Sequence, residues 1–145
     1  MSLDGTYDSA NIFAKILRGE APCAKVWEDD HVLAFMDVFP QSRGHTLVIP
    51  KASTARNLLE ETPERLAALM VRVQKVARAV RAALNPDGVV ITQFNGAPAG
   101  QTVFHLHVHI IPRWADQPLG RHGGGQMADI AELQDLAARI SARID

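Results

Sequence analysis

Cysteine is almost missing from this 145-residue sequence. Cys23 stands alone, which excludes an internal disulfide framework and any zinc cluster built from cysteines. An excess of one charge sign is missing too. Fifteen Lys and Arg against sixteen Asp and Glu leave a formal net charge of −1. Such a chain has no global field to draw nucleic acid or an anionic membrane, so a phosphate-bearing ligand must be small and held locally. No apolar run approaches the ~18 residues that would signal a membrane span. The start Met1-Ser2-Leu3-Asp4-Gly5 has neither a basic nor an apolar region to act as a signal peptide, and a cytoplasmic location is the expectation. What is present, 47% hydrophobic and 21% charged residues, suits one globular domain with a proper core.

Residues 1–10 read as a disordered lead-in and 11–145 as a single domain. Asn11 can cap a short helix over 12–18, which Gly19 ends. Strands are predicted at 24–27 and 32–36, around the turn Glu28-Asp29-Asp30. A third strand, 45–49, puts His45, Leu47 and Ile49 on one face, and a helical turn follows within 51–59. Thr62-Pro63 opens the longest helix, whose apolar set from Leu66 to Leu84 fills an arc of roughly 120°. Its stripe Arg65, Arg72, Lys75, Arg78 and Arg81 lacks interleaved aromatics and reads as a solvated face. Asn85-Pro86-Asp87-Gly88 stops the helix, and 89–94 is a fourth strand. The tail, 115–145, reads as a variable loop containing a solvated His122, then a helix capped by Asp129 and Glu132. On it Ile130, Leu133, Leu136, Ala137, Ile140 and Ile144 face inward. The fold class is α+β: an antiparallel sheet of about five strands with one long helix and flanking shorter ones.

The chemistry concentrates in Gln101-Thr102-Val103-Phe104-His105-Leu106-His107-Val108-His109-Ile110-Ile111, where three of the six histidines stand two apart. Alternation from 103 to 111 predicts a strand, with His105, His107 and His109 on one face and Phe104, Leu106, Val108 and Ile110 on the core. Along a straight strand His105 and His109 would lie ~13 Å apart, too far to share one zinc at ~2.0–2.1 Å bonds. Burying one polar ring after another merely as structure is costly. Catalysis or anion binding is the better reading. The preceding Asn95-Gly96-Ala97-Pro98-Ala99-Gly100-Gln101-Thr102 is at least a tight turn; its backbone N–H groups and the Thr102 hydroxyl could also hold an anion. Asp37, ending an apolar strand, is by itself more readily a turn or cap residue than a ligand site.

His105-Leu106-His107-Val108-His109-Ile110-Ile111 resembles the His-x-His-x-His signature of the histidine-triad (HIT) superfamily. Ile12-Phe13-Ala14-Lys15-Ile16, Leu33-Ala34-Phe35-Met36-Asp37, the block from Gly44 to Lys51, and Gly100-Gln101-Thr102-Val103-Phe104 are similar to family blocks in the family's order, over roughly residues 10–114. The chain looks most like small bacterial members of the Hint-like branch. That resemblance implies an antiparallel sheet continued across a homodimer. It implies that His107 attacks the α-phosphorus of a purine nucleotide, forming a nucleotidyl-histidine, while His109 binds phosphoryl oxygens. His105 and His45 would orient His107. Gly100, Gln101 and Thr102 would meet the phosphate with Asn95 nearby, Asp37 would take the ribose hydroxyls, and Ile12, Phe13, Phe35 and Val38 would flank the base.

The residues suit such chemistry. A neutral imidazole is nucleophilic near pH 7, and prepositioned donors can stabilise the transferred phosphoryl group without a metal. Zinc-binding relatives carry ligands at positions that are Asn11, Ala14 and Ser53 here, so no structural zinc and no required cofactor is expected. The leading expectation is a phosphoramidase-type hydrolase that releases a nucleoside monophosphate. Alternatives are a dinucleoside polyphosphate hydrolase, whose different leaving group would meet the variable 114–127 loop, and a non-catalytic purine-nucleotide-binding scaffold. No nucleic-acid or membrane partner is expected.

Overall fold

The computed structural model describes residues 2–120 and 125–145; the reading of His122 as solvated lies outside them. Five strands form one antiparallel sheet in the order β1-β2-β3-β5-β4. They are β1 (Lys25–Glu28), β2 (Val32–Met36), β3 (Thr46–Pro50), β4 (Gly88–Thr92) and β5 (Val108–Arg113), with α1 (Ile12–Leu17), α2 (Pro63–Leu84) and α3 (Ile130–Ser141) around them. This is the expected α+β arrangement.

Capping chemistry explains the helix bounds. The Asn11 side chain accepts the Ala14 N–H to open α1, and the Thr62 hydroxyl accepts the Arg65 N–H ahead of Pro63 to open α2. Asn85, at φ +50°, ends α2 in the left-handed conformation that asparagine tolerates. Asp129 begins α3 without a side-chain cap bond, unlike the capping pair expected with Glu132.

The two faces of the sheet do different work. One face, with Val26, Ala34, Met36, Val48, Val108 and Ile110, packs on Leu69, Val73, Val76 and Val80 of α2 and on Leu133, Leu136 and Ile140 of α3. On the other, Leu33, Phe35, Leu47 and Ile49 meet Phe13 of α1. Register aligns Phe35 with Leu47 and Leu47 with His109 across β2, β3 and β5. His109 therefore stands on the α1 face.

The histidine segment departs from its expected form. The strand predicted over 103–111 is confined to Val108–Arg113, and residues 101–107 run as irregular chain. Continuing the pairing of β3 with β5 beyond Val48 and Val108 would bring Leu106 opposite Pro50, which has no N–H to donate. The Leu106 N–H bonds the Ala55 carbonyl instead. Phe104, expected in the core, is only half-buried beneath the Arg56 guanidinium, 4.9 Å from its ring centre. The connection from β4 is thus a long loop with a 3-10 turn at Ala97–Ala99, rather than a tight turn.

Residues 2–10, expected as a loose lead-in, carry no helix or strand, yet they make defined contacts. Ser2 Oγ accepts the Ala97 N–H, the Leu3 carbonyl accepts from Asn57, and Tyr7 reaches His105.

Candidate active site

All four expected histidines are buried, with exposures of 0–5%. The bonds they make fix where their protons sit. The Gln41 backbone N–H donates to His45 Nδ1 at 3.0 Å, so the proton of that ring lies on Nε2. His45 Nε2 donates to His109 Nδ1 at 2.9 Å, which puts the proton of neutral His109 on Nε2. A backbone amide thereby sets the tautomer of His109 through an intervening ring.

The other two histidines form a second line. His105 Nε2 donates to the Pro50 carbonyl at 3.0 Å, and its Nδ1 lies 2.6 Å from the Tyr7 hydroxyl. Burial pushes the His105 imidazole below its ordinary pKa, partly offset by the bond to Pro50 and by the charge of Glu61. His107 Nδ1 donates to the His105 carbonyl at 2.7 Å, leaving the lone pair of the neutral ring on Nε2. Sequence reasoning expected His105 and His45 to orient His107. The support from His105 comes through its backbone carbonyl, and His45 orients His109.

His107 and His109 line a cavity of about 410 Å³. Their ring centres are 5.0 Å apart, and Phe13 meets His107 edge-on at 5.0 Å. Of the expected nucleotide contacts, Ile12, Phe13, Phe35, Asp37, Val38 and Thr102 line the same cavity. Asp37 Oδ1 accepts the Phe39 N–H, and its Oδ2 lies 3.4 Å from His45 Nε2. Among the described residues lining the cavity there is no lysine or arginine. Size and mostly apolar walls suit a small organic ligand.

Other expected contacts go elsewhere. Gln101 is 3% exposed, and its amide is spent on backbone groups: Nε2 donates to the carbonyls of Arg56 and Val103, and Oε1 accepts the Gly96 N–H. Asn95 accepts from the Leu58 N–H and from Gln93. Both hold the loop that carries Thr102, and neither lines the cavity. Gly100, at φ +111°, shapes that loop where a side chain would meet the Phe94 ring.

Sequence reasoning missed Tyr7, Gln41 and the Pro50 carbonyl. It also missed Met127 and Ile130, which line the cavity. Ile130, expected to face the core, is half exposed. Tyr7, Gln41 and Met127 lie on irregular segments, which carry no periodicity to reveal a side chain's direction.

For a metal, Asp37, His45 and His109 offer ligand atoms within 4.8 Å of one another. The short contact among them, His45 Nε2 to His109 Nδ1, is a hydrogen bond whose proton occupies the place a cation would take.

The HIT domain model matches residues 18–116. The chain belongs to the HIT domain family. It is 42% identical over 131 residues to the adenylylsulfatase HINT3 of Arabidopsis thaliana, covering 82% of this chain and 66% of that protein. The crystal structure of a HIT-like protein from Bartonella henselae superposes with a TM-score of 0.87 at 47% identity, over 94% of this chain and 98% of that one. A hypothetical histidine triad nucleotide-binding protein from Sulfolobus tokodaii gives 0.82 at 33% identity, over 91% and 90%.

Proposed function

We propose that this HIT protein is a hydrolase that cleaves a purine nucleotide conjugate at its α-phosphate, through a covalent intermediate on His107. The observation that carries the reading is the bond from His107 Nδ1 to the His105 carbonyl, which keeps the nucleophilic lone pair on Nε2 of a ring lining the cavity. The names of an adenylylsulfatase and a nucleotide-binding protein among the relatives support it.

In this scheme the base lies between Ile12, Phe13, Phe35 and Val38, and Asp37 accepts from the ribose hydroxyls. His107 Nε2 forms a bond to the α-phosphorus as the bond to the leaving group breaks, and that group departs with the electron pair. His109 Nε2–H and the Thr102 hydroxyl donate to the phosphoryl oxygens as charge builds. Water then forms a P–O bond at the same phosphorus. The N–P bond breaks back onto Nε2, releasing the nucleoside monophosphate and a proton.

The lack of lysine or arginine along the described lining favours a substrate with one phosphoryl group at the site over a dinucleoside polyphosphate. Offering an adenosine phosphoramidate, a dinucleoside polyphosphate and a nucleotidyl sugar in competition ranks these substrates. His107→Ala should abolish turnover while nucleotide binding stays measurable; undiminished turnover would sink the assignment, and no turnover of any substrate by the unmodified protein would leave only nucleotide binding.

The reading includes no zinc and no cofactor. Asn11 is engaged in capping α1, and Ser53 donates to Glu61. Metal analysis of protein purified without added zinc should find none, and one zinc per chain would overturn this part.

A further inference from the structure

The segment ahead of α1 reaches the histidine cluster with a single side chain. Tyr7 Oη lies 2.6 Å from His105 Nδ1, across 98 positions of sequence, and the two rings meet edge-on with centres 5.7 Å apart. The segment is held on both sides of this contact. Ser2 and Leu3 bond to Ala97, Arg56 and Asn57, and the Asp8 carboxylate and carbonyl bond to Ala10 and Asn11 at the start of α1. Tyr7 is therefore anchored from before and after.

We propose that Tyr7 is a positioning residue for His107, acting by locking the ring of His105. The Pro50 carbonyl can only accept, so His105 Nε2 must carry a proton. Burial favours the neutral ring, in which Nδ1 accepts and the Tyr7 hydroxyl donates. With both nitrogens engaged, the ring can neither flip nor rotate without breaking a bond. The carbonyl of that same residue takes the His107 Nδ1–H, so the backbone that orients the nucleophile hangs on a ring pinned at both ends. Tyr7 is absent from the cavity lining and acts only through His105.

The proposal rests on the hydrolase reading above, and the test separates the two. Tyr7→Phe keeps the aromatic packing and removes the donor. Its kcat should fall about tenfold, the usual scale of one lost hydrogen bond, with KM within about twofold. That split between kcat and KM is the readout a merely structural role would not produce, and nitrogen-15 imidazole spectra report the bond itself. The His105 Nδ1 resonance should shift in Tyr7→Phe, while the pattern of His45 and His109 persists.

Tyr7 is the only tyrosine of the chain, so biosynthetic 3-fluorotyrosine labels this position alone. The fluorine resonance of the labelled protein should respond to His105→Gln, with the fold verified by thermal melting. Unchanged kcat in Tyr7→Phe, an unmoved His105 resonance, or a fluorine signal indifferent to His105→Gln would each overturn the proposal. If the unmodified protein turns over none of the substrates, the hydrolase reading fails, while the spectra still report on the Tyr7–His105 bond.

Discussion

At the scale of single residues, the site is a set of hydrogen bonds that decide proton positions. His105 shows how this reaches stability. Burial makes the folded chain bind its proton less readily than the unfolded chain does. Its contribution to stability is present above the unfolded value of about 6.5 and is lost as pH falls towards the lower folded value. Urea midpoints should therefore drop between about pH 7.5 and about pH 5.5, and His105→Gln should make that drop smaller. An equal drop would show that other groups dominate this range. Gly44 is a second such residue. It sits at φ +92° just before His45, where a Cβ would run into Leu84 Cδ1 and crowd Pro112. Gly44→Ala should cost about 2–4 kcal/mol, read by denaturant unfolding. Not all of this was legible in sequence. The spacing of His105, His107 and His109 marked them as catalytic or anion-binding candidates, and the structure buries all three. Gln101 and Asn95 were read as ligand contacts because a polar residue in a glycine-rich loop looks the same whether it meets a ligand or its own backbone. Their amides turned out to brace that loop.

At the scale of elements, α3 carries two isoleucines with different duties. Ile140 is fully buried between sheet and helices, whereas Ile130 is half exposed and lines the cavity. Ile140→Ala should cost about 2–5 kcal/mol of unfolding free energy. Ile130→Ala should leave stability within about 0.5 kcal/mol and weaken nucleotide binding, as titration calorimetry would read. Matching losses at both positions would contradict this division of the helix. Helical periodicity put both on one inner stripe, because it gives direction relative to the helix axis and not what lies opposite. The reach of β5 was misjudged for a related reason. Alternation from 103 onward was real, but strand structure needs a partner able to bond, and Pro50 ends that supply.

At the scale of the whole molecule, the sheet has two unlike edges. β1 carries Lys25 and Glu28 and an irregular register between Lys25 and Trp27, features that discourage pairing. β4 reads Gly-Val-Val-Ile-Thr, without a charge, and its Ile91 is 43% exposed. We propose that two copies of the chain pair edge to edge through β4. Sedimentation should report two copies for the unmodified protein and one for Ile91→Lys; a monomer at micromolar concentration in both would discard it. Among the described residues no helix is long and apolar enough to cross a membrane.

The sequence by itself determined the helix starts, the strand β2, the fold class and which histidines to look at first. Capping hydroxyls, apolar periods and the triad spacing are local, and their physics does not wait for the rest of the chain. Only the tertiary structure decided which nitrogen of each ring holds its proton. It alone showed that His45 bonds to His109, and that Tyr7 reaches His105. Those facts depend on partners 55, 64 and 98 positions apart, and no local preference encodes such pairs.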